Sequence, residues 1–404
     1  MFVLPSWYPS RVVPLAGLFV REQVAALAAL RPQWHIVVGL WGHHDGALSL
    51  RSAGASARAL AWRVRQPGTA GLTGREAGWR SVGGWHEVTT PRLSWTLAWR
   101  GGGVQGLLSA SRRNLQQAVQ RFGPMQLLHA HVGFPAGWIA SQLAAEVGVP
   151  YVLTEHMSPF PVAELATANG MPNAALRMAF ERAAATVAVS TTLADRIRAC
   201  SLPCSDVVPN AVDDSRFVST APPLGGPFVF FALGNLTPQK GVDVLLQALA
   251  LWRPAAGTVE LHIGGSGPQQ AALQKLAQTL GVAGCVRWLG ALRPADTPAH
   301  FARCHAFVLA SRHETFGVVL AEALMCVRPV LATRCGGPVD IVHAGNGLLV
   351  PAQDPAALAQ GLAALHRTAS GFDRHALRAD AIARFSRHAV ALQLVALYQR
   401  VLGL

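Results

Sequence analysis

The sequence predicts an α/β protein made of two parallel-sheet domains, and three observations carry that expectation. The chain has 404 residues, too many for one ordinary core and about right for two domains of roughly 200. Short apolar runs alternate with helical segments in both halves, the rhythm of βαβ units whose sheets are covered on both faces. Between the halves, Ser215–Pro227 holds three prolines and two glycines among mostly small and polar residues, the composition of a linker. The expected division is a first domain over 1–212, a linker over 213–226, a second domain over 227–385, and a C-terminal helix over 386–404.

In chain order, Phe2–Leu4 reads as a strand ending at Pro5. A loop holding Trp7, Tyr8 and Pro9 follows, and Gly17 opens a helix to about Leu30. His35–Leu40 is a second strand. Residues 42–85 are rich in Gly, Ser and Arg and show no period, so a loop with at most one short helix is expected there. Trp95–Phe122 is mainly helical after the Gly101–Gly103 break. Gln126–His131 is an apolar strand ending in His-Ala-His, with a helix over Gly133–Val147. Tyr151–Thr154 is a strand ending at Glu155-His156, and Thr186–Ser190 is another.

The second half continues the pattern with strands at Phe228–Leu233, Val259–Ile263, Val286–Leu289, Ala306–Ala310, Val330–Thr333 and Gly347–Val350. Helices are expected at Val242–Trp252, after Gly264-Gly-Ser-Gly-Pro268, at Pro294–Cys304, Phe316–Val327 and Asp354–His366, and in two further segments to Leu404.

Composition narrows the class. Half of the residues are apolar and 14% are charged, which excludes a disordered chain. Apolar stretches are broken well before about 18 residues, so no spanning helix is expected, and the N-terminus lacks the pattern of a cleaved signal. Six cysteines form no C-x-x-C pair, which argues for free thiols in a reducing cytoplasm and against a zinc site. The formal net charge is +13, and of 34 basic residues only Lys240 and Lys275 are lysines. Residues 47–124 hold eleven arginines against two acids, a local charge of 11 − 2 = +9, together with five of the eleven tryptophans. Arginine interleaved with tryptophan fits either peripheral contact with an anionic membrane or a solvated face over core tryptophans. No nucleic-acid motif accompanies the charge.

The chemistry centres on Ser311-Arg-His-Glu-Thr-Phe-Gly-Val-Val-Leu-Ala-Glu-Ala323. Glu314 falls in a strand-to-helix turn and Glu322 about two helical turns on, close enough in rotation to flank one cleft. Between them, the backbone N–H groups of Phe316, Gly317 and Val318 are the unpaired donors of a helix start, suited to a phosphate. Ligands of open parallel sheets gather at the carboxyl ends of strands, and two strands here end in histidine, at His131 and His156.

This stretch resembles the E-x7-E signature of the family-4 retaining glycosyltransferases. Ser6-Trp-Tyr-Pro-Ser10 with the Gly17 helix start resembles that family's N-terminal loop, and Gly234-Asn-Leu-Thr-Pro-Gln-Lys-Gly241 resembles its phosphate clamp, with Asn235 where relatives have Arg. The resemblance covers nearly the whole chain, 42–125 only loosely, and implies the GT-B fold: two Rossmann-like domains facing a cleft, with the last helix crossing back to the first. It assigns the transferred sugar to Glu314 and His131, and the ribose to Glu322. The nucleotide-sugar donor falls to Gly17, Asn235, Lys240, Gly264, Leu292 and the Thr315–Val318 turn, and the acceptor side to Trp7, Tyr8 and His156. The implied reaction moves a sugar from a UDP- or GDP-linked donor to a glycan or lipid-linked acceptor, with retention.

No Asp-x-Asp motif is present, which favours a site that uses neither metal nor cofactor and leaves Lys240 as the cation, with Arg312 or Arg334 as sources of the charge that Asn235 lacks. Two other readings stay open: a nucleotide-sugar 2-epimerase of the same architecture, and a non-catalytic binder of sugar nucleotide or glycan.

Overall fold

A computed structural model describes residues 1–10, 13–41, 77–91 and 103–404. The chain divides into two compact units. One comprises Met1–Val189, Ala194–Ala211 and Val390–Leu404, and the other Ser190–Leu193 and Val212–Ala389.

The strands of the first unit are β1 (Phe2–Pro5), β2 (Val37–Leu40), β3 (Gly78–Val82), β4 (Trp85–Thr89), β5 (Leu128–His131), β6 (Tyr151–Glu155), β7 (Ala185–Ala188) and β8 (Asp206–Val207). They form one sheet in the order β3-β4-β2-β1-β5-β6-β7-β8. All neighbours run parallel except β3 and β4. That hairpin is a correction to the loop expected up to residue 85. Its turn is Gly83-Gly84, both at positive φ (48° and 95°), a pair suited to a two-residue hairpin. Trp85 points into the core, whereas β3 is an exposed edge. The rest of the Arg/Trp-rich segment, including Arg51, Arg58, Arg63, Arg65, Arg75, Arg92, Arg100, Trp62, Trp95 and Trp99, lies outside the described residues.

Strands β1, β2 and β5 to β7 are buried along their whole length, as parallel strands covered on both faces must be. One covering layer is the helix Leu18–Leu30, through Val20, Val24 and Leu27. The C-terminal helix Arg387–Leu402 joins the same core through Val390, Leu394 and Tyr398. Among the described residues no helix is long and apolar enough to cross a membrane.

The second unit holds β9 (Phe228–Leu233), β10 (Val259–Gly264), β11 (Val286–Gly290), β12 (Ala306–Leu309), β13 (Val330–Thr333) and β14 (Gly347–Val350). Their order is β11-β10-β9-β12-β13-β14, all parallel. Leu245, Leu249, Leu261, Ile263, Val308, Leu358 and Leu362 pack its core.

The stretch Ser215–Pro227 is not a loose spacer. It belongs to the second unit, where three arginines hold its carbonyls. Arg328, only 1% exposed, donates to Thr220 O (3.0 Å), Thr220 Oγ1 (2.9 Å), Phe301 O (2.8 Å) and Ala302 O (3.2 Å). Arg374 donates to Thr220 O at 2.6 Å and Arg378 to Phe217 O at 2.5 Å. Part of the arginine excess therefore satisfies buried backbone acceptors, which composition does not reveal.

Candidate active site

The parallel order of β10, β9, β12 and β13 brings four turns together at their carboxyl ends, and the donor-side candidates of the second unit sit on them. The turn after β9 runs into the one after β10: Gly234 N donates to Gly264 O, and Leu236 N to Ser266 O. A Cβ on Gly265 would lie 1.9 Å from Gly234 O, and one on Gly264 would lie 2.7 Å from Leu292 Cδ1. Here glycine is demanded by the close approach of chain to chain, and it seats Leu292 over the β10 turn.

Lys240 reaches across from the β9 turn to the β12 turn. Its Nζ lies 2.6 Å from Glu314 Oε2, and Ser311 Oγ donates to the same oxygen at 3.2 Å. The side chains are 23% and 14% exposed. Backbone bonds fix Glu314: its N–H donates to Cys335 O, and its carbonyl accepts from Gly337 N. Gly336 and Gly337 admit this, because a Cβ on either would meet the 314–316 backbone at 2.3 Å.

Glu314 thus lies in an extended bridge to Gly336, and the helix begins only at Val318. This corrects the expected spacing. Glu322 is the fifth residue of the helix, a little over one turn in, so an eight-residue helical rotation does not relate the two carboxylates. Gly317 caps the helix at φ 94°. The amides of Phe316, Gly317 and Val318 donate to no described residue, as expected of a helix start. Thr315 is half-buried, and Phe316 is buried edge-on against Phe385.

Arg312 is not a spare cation. It forms a two-pronged pair with Asp243 (2.8 and 2.7 Å) and donates to Pro238 O at 2.6 Å. The guanidinium in turn holds the Asp243 carboxyl below its usual range, so this arginine braces the Lys240 turn. Arg334 is exposed. Asn235 is exposed too, and its side chain makes no hydrogen bond to a described residue. A groove of about 1060 Å³ lies where β10 begins and is lined by Leu251, Arg253, Pro254 and Cys285, away from the strand ends that carry these groups. Cys304 and Cys326 are buried thiols pushed up to about 12, chiefly by burial, and behave as small apolar side chains.

In the first unit, β1, β5 and β6 are neighbours and their carboxyl ends meet. His131 closes β5, and its Nδ1 lies 3.1 Å from Nε2 of His156 after β6. Phe19 stacks on His156 with ring centroids 4.1 Å apart. Behind them, His129 bonds Thr154 Oγ1 at 2.8 Å and the Tyr398 hydroxyl at 2.6 Å. Burial lowers all three histidines, His129 and His156 to about 3, so the cluster is neutral.

The helix expected from Gly133 starts only at Trp138. Before it comes a wide turn over Gly133–Gly137 with Phe134 out of helical geometry, preceded by Val132 at φ 77°. A β-branched residue there is strained. Glu155 holds the turn: fully buried, it accepts from Gly133 N (2.9 Å), His156 N (2.8 Å) and Met157 N (2.9 Å). Burial raises its pKa and the three amides oppose that. Sequence reasoning gave Glu155 no task, and its position at a strand end was the available signal.

Gly17 adopts φ 62°, and a Cβ there would lie 2.0 Å from the Trp7 carbonyl, so the chain itself fills the space that its missing side chain leaves. Trp7 is half-buried. Tyr8 does not fit an acceptor contact: it is 2% exposed and its hydroxyl donates to Glu87 Oε1 at 2.8 Å.

Residues 227–368 match the family described as Glycosyl transferases group 1, and residues 93–216 match Glycosyltransferase Family 4. The D-inositol 3-phosphate glycosyltransferase of Jonesia denitrificans is 31% identical over 322 residues, 70% of this chain and 74% of the relative. The phosphatidyl-myo-inositol mannosyltransferase of Mycobacterium leprae is 32% identical over 289 residues, 69% of this chain and 74% of the relative. A Corynebacterium jeikeium D-inositol 3-phosphate glycosyltransferase is 34% identical over 178 residues, but the match spans only 39% of this chain and 42% of that relative.

Among solved structures, sucrose-phosphate synthase from Thermosynechococcus elongatus superimposes with a TM-score of 0.73 at 19% identity, covering 100% of this chain and 99% of that one. Anabaena HepE in complex with UDP-glucose gives 0.67 at 18% identity, covering 99% and 98%. The two parallel-sheet units are those of a GT-B glycosyltransferase. Within that class, the chain belongs to glycosyltransferase family 4.

Proposed function

We propose that the protein transfers a glycosyl group from a UDP- or GDP-linked sugar to a glycan or lipid-linked acceptor, with retention and without a metal. The observation that carries this is the junction of Lys240 with Glu314 beside the undonated amides of Phe316, Gly317 and Val318. A diphosphate leaving group gathers negative charge as the glycosidic bond breaks. A fixed ammonium and helix-start amides stabilise that charge where it develops. The donor phosphate takes up Lys240 hydrogen-bonding capacity, and the Glu314 carboxylate then faces the sugar and its developing positive charge. The acceptor hydroxyl attacks on the face that the phosphate leaves, and its proton passes to the phosphate. Glu322 holds the ribose, and His131 contacts the transferred sugar. The relatives named for inositol phosphate and phosphatidylinositol support a phospho-polyol or lipid-linked acceptor.

Thermal shift over a panel of nucleotide sugars tests the donor, and product analysis with lipid and glycan acceptors tests the reaction, with and without EDTA. A protein that neither binds nor consumes any donor overturns the reading, and EDTA-sensitive turnover overturns the metal-free part. Exposed Asn235, with Arg312 committed to Asp243, favours one second reading, a binder without turnover. Donor binding with no product or isomerised donor would establish it.

Peripheral membrane contact is part of the proposal. Its described support is the β3 edge, where Arg121 lies 4.8 Å over Trp79 with Arg80 nearby on the same strand. Salt-sensitive binding to anionic vesicles and none to neutral ones is the expected result. Equal recovery with both rejects it.

A further inference from the structure

Two groups hold the Glu314 carboxylate, and both grip the same oxygen. Lys240 Nζ lies 2.6 Å from Oε2, and Ser311 Oγ lies 3.2 Å from it. The other oxygen, Oε1, makes no hydrogen bond to a described residue. Ser311 is 0% exposed, and among the described residues Glu314 Oε2 is the one partner of its hydroxyl. A carboxylate paired with an ammonium has only lone pairs to offer, so the buried hydroxyl donates its hydrogen to Oε2.

The two groups reach Glu314 from different parts of the unit. Lys240 comes from the turn after β9. Ser311 stands just past β12, and Thr333, the last residue of β13, donates its hydroxyl to the Ser311 carbonyl at 2.6 Å. Thr333 is buried as well, at 1% exposed. The Glu314 backbone is tied to the same side: its N–H donates to Cys335 O at 3.0 Å, and its carbonyl accepts from Gly337 N at 2.8 Å. Among the hydrogen bonds that Glu314 makes to described residues, only that of Lys240 comes from the β9 turn.

This difference matters when a diphosphate arrives. An ammonium has three hydrogens on a flexible stem and turns to the new acceptor. A hydroxyl without exposed surface, anchored to β13, stays on the carboxylate. We infer that Ser311 is a positioning residue: it keeps hold of Glu314 Oε2 when Lys240 turns to the donor phosphate, and so presents Oε1 to the sugar. The use of Oε1 rests on the proposed glycosyl transfer, but the hold on Oε2 does not.

Removing the ammonium tests the hold without any substrate. In a crystal structure of Lys240→Met, Glu314 Oε2 should stay within about 3.5 Å of Ser311 Oγ. In Lys240→Met/Ser311→Ala the carboxylate should leave that position. A carboxylate that turns from Ser311 in the first protein, or keeps its place in the second, overturns the inference.

Turnover is read with the donor found by thermal shift. Ser311→Ala should lower kcat by about 10-fold, because rate falls steeply when a catalytic group is displaced, and should leave the donor KM within about 2-fold. In Glu314→Ala, which has no carboxylate to hold, the same change should cost less than about 2-fold. Additive losses, or full kcat in Ser311→Ala, overturn the positioning role. Full activity in Glu314→Ala is a different failure: it removes Glu314 from the reaction and Ser311 with it, while the two crystal structures still decide the hold.

Discussion

Lys240 and Glu314, 74 residues apart in the chain, meet at 2.6 Å in the second unit. Neither is held by its own secondary structure: Lys240 ends a single 3-10 turn, and Glu314 sits in a backbone bridge to Gly336. The pair also takes part in holding the β9 turn against the β12 turn. Glu314→Gln should therefore reduce turnover by about 10²- to 10³-fold, the size seen when a group aimed at transition-state charge is removed. It should also lower stability by about 1 kcal/mol, because a half-buried ammonium exchanges a charged acceptor for a neutral amide oxygen. Initial rates and denaturant melts measure the two separately. Full activity in Glu314→Gln would sink the catalytic assignment, whatever its effect on folding.

Asn235 is exposed at the start of the same clamp. Asn235→Arg adds a cation without disturbing an existing side-chain hydrogen bond. Donor affinity should rise by about 10-fold, the effect of one charge-assisted hydrogen bond of roughly 1.4 kcal/mol. Calorimetry with the donor found by thermal shift would show it. An unchanged Kd would mean that the side chain does not face the phosphates.

Arg328 is buried among carbonyls without a carboxylate within ion-pair distance among the described residues. Arg328→Met keeps much of the volume but removes the guanidinium donor from Phe301 O, Ala302 O and Thr220 Oγ1, while Thr220 O keeps Arg374. The expected loss is about 3 kcal/mol or more, from several hydrogen bonds to a buried charged donor lost at once. Arg328→Lys should recover only part of it, since one ammonium does not span the same carbonyls. Chemical denaturation of both variants checks this, and a loss below 1 kcal/mol in Arg328→Met would mean that Ser215–Pro227 holds its place by other contacts.

The neutral histidine cluster makes stability depend on pH with a defined sign. His129 and His156 are lowered to about 3 by burial, against about 6.5 in the unfolded chain. Below 6.5 the unfolded state binds protons that the folded state refuses, so stability falls as pH drops from 6.5 towards 3 and is flat with respect to these rings above about 7. The slope is up to about 1.4 kcal/mol per pH unit for each ring. Urea melts between pH 7 and 5, above most carboxylate titration, should show it, and His156→Phe should reduce the slope by about one proton. An equal slope in the variant would mean that His156 titrates normally in the folded protein.

By itself the sequence determined the α/β class, the parallel arrangement and most strand positions, including Phe228–Leu233, Val330–Thr333 and Gly347–Val350. These follow from local apolar runs bounded by Gly, Pro and charge, and a run of that kind is read within its own few residues. The Gly83-Gly84 hairpin was legible in principle, but the segment before it lacks a period to frame it. His131 and His156 were legible as chemistry because each stands at or just past a strand end, and Lys240 and Glu314 because of the motifs they stand in.

What each of them touches was decided only by the tertiary structure. Strand order set Lys240 on Glu314, gave Arg312 to Asp243, buried Tyr8 against Glu87, and brought Tyr398 to His129 across 269 residues. Such pairings depend on which strands become neighbours and on which buried polar group most needs a partner. Neither is written in the spacing of residues along the chain.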